Sequence, residues 1–269
     1  MHSKKYLNRL CWNFLGAGLL SLATFTQAFA DPNWPTKPVT FIVPFPAGGG
    51  TDAFARPLSA VLTKNLNKQI IIAADCTGHG VPGAMLSLLV GNSLERIYAN
   101  DTAEDPASAL MSLDHYVRTG LNQDRADSES DDGCDAALLR IDRDKNTIEF
   151  AGAKLGLFQV NSQGEVTRHL GSRCSLGYQD EVAEADKPVV QKIPYQSGAV
   201  FAVVTDGFTD QIGGTTGKTS FGYRRLEEVL KANFTKTAEE ITAAMKREFA
   251  AWQGTSARRD DVTAVVFRL

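Results

Sequence analysis

From Ala136 to Leu269 the chain alternates short apolar runs with turn signals, then gives two amphipathic helices and a last apolar run. This order limits the fold more than any other feature. Ala136–Asp142 and Thr147–Phe150 flank Arg143-Asp144-Lys145-Asn146 as a hairpin, and Leu155–Val160 and Val166–Leu170 flank a Ser-Gln-Gly turn at 162–164. Ala199–Val204 reads as a buried strand. Helices are predicted at about 221–233 and 237–252, the second opened by a capping box of Thr237 and Glu240, and Val262–Phe267 closes the chain as a strand. Short turns favour antiparallel neighbours, and helices grouped apart from strands favour separate layers. The predicted class is α+β, a sandwich of mainly antiparallel sheets.

The upstream part opens differently. Residues 1–30 follow the plan of a secretory signal: Lys4, Lys5 and Arg9, then an apolar stretch from Phe14 to Phe25, then Ala28-Phe29-Ala30 as a cleavage site. Export to the periplasm is therefore expected, and nothing after the leader is long and apolar enough to span a bilayer. A short β-α-β segment follows. Val39–Val43 is a strand, Ala47–Asp52 a glycine-rich loop, 53–66 a helix and Gln69–Ala73 a second strand. A helix from Gly83 to about Tyr98 is expected to turn Met85, Leu88, Leu89 and Ile97 inward, with a further helix at 107–121 and a solvated acidic loop at 124–132.

Charge and cysteine content narrow the function. Lys and Arg number 28 against 31 Asp and Glu, a net charge of −3, which excludes a general nucleic-acid binder. Cys11 leaves with the leader, and Cys76, Cys134 and Cys174 form neither even pairs nor a metal-ligand spacing. They read as small buried hydrophobes of a reducing compartment, at odds with the leader.

Three aspartates share a setting. Asp75 follows the strand ending at Ala73, Asp206 leaves Ala199–Val204, and Asp260 precedes Val262–Phe267. If the last two strands are antiparallel neighbours, Asp206 and Asp260 meet at one rim, within reach of Asp75. Grouped carboxylates repel one another unless a cation intervenes, and Mg²⁺ or Mn²⁺ prefers such oxygen ligands. A two-metal rim would acidify a water for attack on a phosphoryl group. Against this stands the plain role of Asp as a turn or cap residue. Gly78, Gly80 and Gly207 allow close backbone approach, and His79 is either a structural histidine or a supporting group.

From about residue 70 onward the motifs resemble a known family. Asp75-Cys76-Thr77-Gly78-His79-Gly80 resembles the Asp-x-x-Gly-His-Gly motif of SpoIIE-like phosphatases, metal-dependent (PPM, type 2C) protein serine/threonine phosphatases. Asp132-Gly133-Cys134-Asp135-Ala136-Ala137-Leu138, Phe150-Ala151-Gly152-Ala153, Ser175-Leu176-Gly177-Tyr178, Thr205-Asp206-Gly207-Phe208-Thr209-Asp210-Gln211, Phe221-Gly222 and Arg259-Asp260-Asp261-Val262-Thr263 follow in the family order. The resemblance implies an α-β-β-α sandwich over 73–269 with two Mg²⁺ or Mn²⁺ ions. Asp75 would bridge them, Cys76 would lend its carbonyl, and Asp206 and Asp260 would hold one ion. Asp132, with Asp131 an equal candidate, would hold a third, weaker one. Gly78, His79, Gly80, Gly207 and Asp261 would support the set. It further implies attack of a metal-bound water on phosphoserine or phosphothreonine, with small STAS-type anti-sigma-factor antagonists as substrates and the cytoplasm as the usual compartment.

The chain departs from that pattern upstream, where nothing matches the Gly-Gly-Asp-type acidic motif and strands that begin the domain in relatives. The phosphatase unit is thus expected to be truncated at its N-terminus, with a sheet edge uncovered. Instead, Trp34 to Asp52 resembles the start of Bug-type solute-binding proteins of tripartite tricarboxylate transporters. In that family the segment corresponding to Pro46, Ala47, Gly48, Gly49, Gly50, Thr51 and Asp52 binds a carboxylate ligand. Residues 31–72 would be a fragment of such a domain. The chain reads as a fusion joined within Gln69–Ala74, natural or arising from a recombined or misassembled gene, with periplasmic carboxylate binding, or a non-catalytic fusion in which neither domain is complete, as the alternatives.

Overall fold

The computed structural model describes residues 68–78, 80–99, 105–125, 127–215 and 217–269, all within one compact unit of the chain. The leader at 1–30, the Val39–Val43 strand, the 53–66 helix, the loop Pro46–Asp52 and His79 lie outside the described residues.

Two four-stranded sheets form the centre. The first takes the order β1 (Lys68–Cys76), β2 (Cys134–Asp142), β3 (Thr147–Ala153), β6 (Gln191–Pro194). The second takes the order β10 (Ala264–Arg268), β7 (Val200–Val204), β4 (Leu157–Val160), β5 (Val166–His169). Every pairing in both is antiparallel. A small ribbon, β8 (Ile212–Gly213) with β9 (Thr219–Ser220), stands apart. Helices α1 (Gly80–Ala99) and α2 (Pro106–Gly120) cover the first sheet, and α4 (Gly222–Asn233) and α5 (Ala238–Gln253) cover the second. A short helix, α3 (Asp206–Thr209), follows β7. This is the antiparallel α+β sandwich that the strand and helix order predicts, in the α-β-β-α layering that the family resemblance implies.

Strand parity sorts the side chains into three cores, because successive residues point to opposite faces. On β2, Ala136 and Leu138 pack against α1 and α2, while Ala137, Leu139 and Ile141 fill the space between the sheets. On β7, Val200, Ala202 and Val204 meet α4 and α5, while Phe201 and Val203 face inward. Fully burying each large apolar chain contributes about 1.5–3 kcal/mol, so the core between the sheets decides their register.

The helices are fixed by local signals. Asp105 caps α2, accepting from the Ser108 N–H at 2.8 Å while Ser108 Oγ accepts from the Asp105 N–H at 3.1 Å. The Thr237–Glu240 box opens α5 as expected. The α1 expectation needs correction. It starts at Gly80, since Pro82 is tolerated in a first turn, and it buries Leu86, Val90, Leu94 and Ile97. Met85 and Leu88 are 66% and 51% exposed instead. The helix carries two apolar stripes, and only one can face the sheet.

The acidic loop after α2 is also less free than its charge suggests. Buried Gln123 donates to the carbonyls of Asp132 and Gly177, and its Oε1 accepts from the Asp132 N–H and Ser130 Oγ. Among the described residues β1 and β10 are the sheet edges next to the site, and all of β10 is half-buried.

Candidate active site

The sheet register brings the aspartates together. β7 and β10 pair antiparallel with Val204 opposite Ala264, so the exit of one strand adjoins the entrance of the other. Thr205 N–H donates to Thr263 O at 3.1 Å, and Thr263 N–H donates to Thr205 Oγ1 at 3.0 Å, extending the ladder toward the rim. Asp206 then opens α3, and Asp260 and Asp261 lie against it. A Cβ on Gly207 would collide with the Asp261 carbonyl and come within 3.2 Å of Asp260 Cβ, so only glycine permits this approach.

Asp75 is placed differently from the sequence expectation. It lies within β1, not beyond its end, and stands directly opposite Asp135 of β2. Parity puts both on the face of Ala73 and Ala137, at the end of the core between the sheets. The Asp75 carboxyl is pushed up to about 7, by burial first and then by the charges of Asp206, Asp260, Asp135 and Asp261. Burial also raises Asp135, against a Ser175 hydrogen bond and the charge of Lys154, and it raises Asp206 together with the charges of Asp260 and Asp210. One negative field thus links Asp75, Asp135, Asp206, Asp210, Asp260 and Asp261.

The gathering is loose. Among the described residues no group of three or more His, Cys, Asp or Glu side chains is arranged to hold a metal ion. Asp260 Oδ1 accepts from the Asp261 N–H at 2.8 Å, and the Asp206 carboxylate accepts from the Gly207 N–H. Asp75, Asp206 and Asp260 nevertheless lie close enough for their charges to act on one another. The donor chemistry fits a hard divalent cation: carboxylate oxygens, one carboxyl whose pKa burial and neighbouring carboxylates raise, and a glycine cradle.

Asp132 stays in the loop, its N–H and carbonyl both taken by Gln123, and Asp131 Oδ1 accepts from the Gln179 N–H at 3.0 Å. Asp135, which the sequence did not single out, lies at the rim directly opposite Asp75. Lys154 was not singled out either. It follows β3 at a φ of 63°, an uncommon value for a residue with a Cβ, and its charge acts on both Asp135 and Asp206. Gly78, at a φ of 82°, turns the chain from β1 into α1, where Gly83 packs so closely that a Cβ would lie 2.6 Å from Gly78 O.

Beneath the rim a polar framework fixes the strand ends. Thr77 Oγ1 donates to Gly133 O, accepts from the Gly133 N–H and meets the Tyr178 hydroxyl at 2.8 Å. Asp114 on α2 pairs with Arg118 at 2.8 Å and accepts from the Gly177 N–H at 2.8 Å. Burial raises the thiols of Cys76 and Cys134, both of which face α1 and α2.

The family model for Stage II sporulation protein E matches residues 67–269. The chain belongs to this family. The SiaA-PP2C domain of Pseudomonas aeruginosa is 30% identical, with a TM-score of 0.66 over 80% of this chain and 89% of that one. The PP2C phosphatase domain of SpoIIE from Bacillus subtilis shares the fold at 15% identity, with a TM-score of 0.55 over 76% of this chain and 58% of that one. So do the RsbU and RsbW domains of a Mycobacterium tuberculosis protein, at 12% identity and a TM-score of 0.57 over 75% of this chain and 52% of that one. A further match is to a UPF0065 protein from the tcbD-tcbE intergenic region of Pseudomonas sp. strain P51, 29% identical over 87 residues. It takes in 32% of this chain, which spans about a quarter (26%) of that relative's length. The SpoIIE-family domain is a PP2C-type phosphatase domain, a metal-dependent serine/threonine protein hydrolase by family. No helix among the described residues is long and apolar enough to cross a membrane.

Proposed function

We propose that this chain hydrolyses phosphoserine or phosphothreonine in a protein substrate at the aspartate rim, with Mg²⁺ or Mn²⁺ as cofactor. The observation that carries the reading is the raised Asp75 carboxyl, surrounded by the charges of Asp135, Asp206, Asp260 and Asp261. Asp75, the Cys76 carbonyl, Asp206 and Asp260 would hold two ions, and Asp135, in place of Asp132, would serve a weaker third. When bound, the ions supply positive charge to the phosphoryl oxygens and an acidified water for in-line attack.

The chain's own residues supply the rest. Asp75, whose raised carboxyl lies among the other rim carboxylates, would be held in its ionised form by a cation and would accept a hydrogen bond from water. The Asp206 and Asp260 carboxylates, which accept from the Gly207 and Asp261 N–H groups, would be the further oxygen ligands. Gly207 keeps α3 against the Asp260 segment, and Lys154 offsets part of the negative field that would repel a phosphate dianion. A small STAS-type switch protein is the substrate class we favour.

We read residues 1–72 as a leader and a fragment of solute-binding origin, supported by the three-part plan of residues 1–30 and the Trp34–Asp52 motif, and we expect export. The test is hydrolysis of p-nitrophenyl phosphate and of a phosphoserine peptide by the full chain, with and without Mn²⁺ or Mg²⁺. Metal-dependent release of phosphate that vanishes in Asp206→Ala supports the reading. Equal rates for the two proteins overturn it.

A further inference from the structure

Cys76 and Cys134 are direct partners in the β1–β2 ladder. The hydrogen-bond pattern fixes which kind of partners. Cys134 N–H donates to Leu176 O at 2.8 Å and its carbonyl accepts from the Leu176 N–H at 2.9 Å, so both of its backbone groups point away from β1. The adjoining pair bonds across instead, with Thr77 N–H donating to Gly133 O at 2.9 Å. Cys76 and Cys134 are therefore a non-hydrogen-bonded pair, whose Cα atoms stand about 4.5 Å apart in such ladders. That lies inside the window of about 4.4–6.8 Å for a disulfide. Direct partners share a sheet face, and both thiols lie in the core under α1 and α2. Cys134 is 1% exposed and Cys76 is half-buried, its thiol hydrogen-bonded to Ser87 of α1, so Cys76 is the more accessible of the two.

We propose that Cys76 and Cys134 form a peroxide-sensitive dithiol whose disulfide switches off the neighbouring carboxylate rim. The second half of this proposal rests on the phosphatase reading above. Cys76 attacks hydrogen peroxide and becomes a sulfenic acid as the O–O bond breaks and one water leaves. Cys134 then attacks that sulfur, the S–S bond forms, and a second water carries off the remaining oxygen and protons. Two thiols are oxidised and one peroxide is reduced. Each sulfur belongs to the residue next to a rim carboxylate, Asp75 on one strand and Asp135 on the other. Drawing the two Cβ atoms to about 3.8 Å ties the strands together where Asp75 and the Cys76 carbonyl must adjust to a cofactor. Cys174 is a built-in control, since its sulfur meets Ser172 Oγ at 3.1 Å and has no place in the ladder.

The experiment incubates the full chain with hydrogen peroxide for hours, because burial keeps both thiols protonated and the reaction slow. Tryptic mapping without reductant should yield residues 69–96 linked to residues 126–140. Mn²⁺-dependent hydrolysis of p-nitrophenyl phosphate should fall at least tenfold and return with dithiothreitol. Cys134→Ala should stay active and ignore peroxide, and Cys174→Ala should respond like the unaltered chain. If Cys134→Ala does not fold, the unaltered chain and Cys174→Ala carry the test. No linked peptide, a link through Cys174, a link without loss of activity, or a loss that reductant does not reverse overturns the proposal. A reduced protein without hydrolysis sinks the phosphatase reading and with it the switch, while the linked peptide still decides the dithiol.

Discussion

Asp75 and Asp135 face each other across the β1–β2 ladder, two carboxyls on the same sheet face at the end of the central core. Neither has a fixed cation at ion-pair distance among the described residues, and burial raises both. Removing one charge should ease the other. In Asp135→Asn the metal-free protein should melt higher at pH 8 than the unaltered chain. Its affinity for Mn²⁺ should fall about 10–100-fold, the range seen when groups supporting a metal site are changed. Calorimetric titration and thermal melts read the two effects separately.

The pH response follows from the sign of the Asp75 shift. An ordinary carboxyl near 3.8 in the unfolded chain and near 7 in the folded one means that the folded state binds more protons between those values. Stability from this group is therefore lost as pH rises through that window. The metal-free protein should melt at a higher temperature at pH 5 than at pH 8, and millimolar Mn²⁺ should close the gap. Because binding needs the ionised carboxyl, affinity should drop as pH falls below 7, with proton release measurable in buffers of different ionisation enthalpy. A flat profile would remove the raised carboxyl from the account.

How much of this was legible beforehand depends on distance along the chain. β7 and β10 declared themselves by apolar runs, and the aspartates at their ends met as expected because antiparallel pairing leaves one arrangement. Asp135 escaped because its partner strand lies far upstream, and no sequence pattern fixes the register of Asp75 against it. Once Cys134 is set opposite Cys76, parity alone finds Asp135. Met85 and Leu88 were misplaced because α1 is apolar on two sides, and periodicity cannot choose between stripes. β6, β8 and β9, of four, two and two residues, are too short to announce themselves. Gln123 gave no signal, since its role comes from four hydrogen bonds to three residues, Ser130, Asp132 and Gly177, that no sequence pattern links to it.

Asp114 tests the framework apart from the chemistry. It is 6% exposed, pairs with Arg118 at 7% exposure, and holds the Gly177 N–H. Asp114→Ala leaves a buried guanidinium uncompensated and an amide without its acceptor. The expected loss is about 3–5 kcal/mol in denaturant unfolding. Replacing both partners together with apolar residues should cost less, because the desolvation of both charges is then avoided. A double variant as unstable as Asp114→Ala would mean that the Gly177 contact carries the effect.

Gly207 separates the position of Asp206 from its presence. A Cβ there would strike the Asp261 carbonyl and crowd Asp260 Cβ, so Gly207→Ala must push α3 away from the Asp260 segment while leaving every carboxylate in the chain. Gly207 is buried, and its neighbour Phe208 packs on Phe221 and Phe249 in the core under α4 and α5, so some melting temperature is lost as well. Mn²⁺ affinity and phosphate release should fall together by tenfold or more in the protein that remains folded, since placement errors of about 1 Å cost on the order of 100-fold in rate. Loss of activity with unchanged affinity would instead put Asp206 outside the cofactor site and leave Gly207 a purely structural part of the turn into α3.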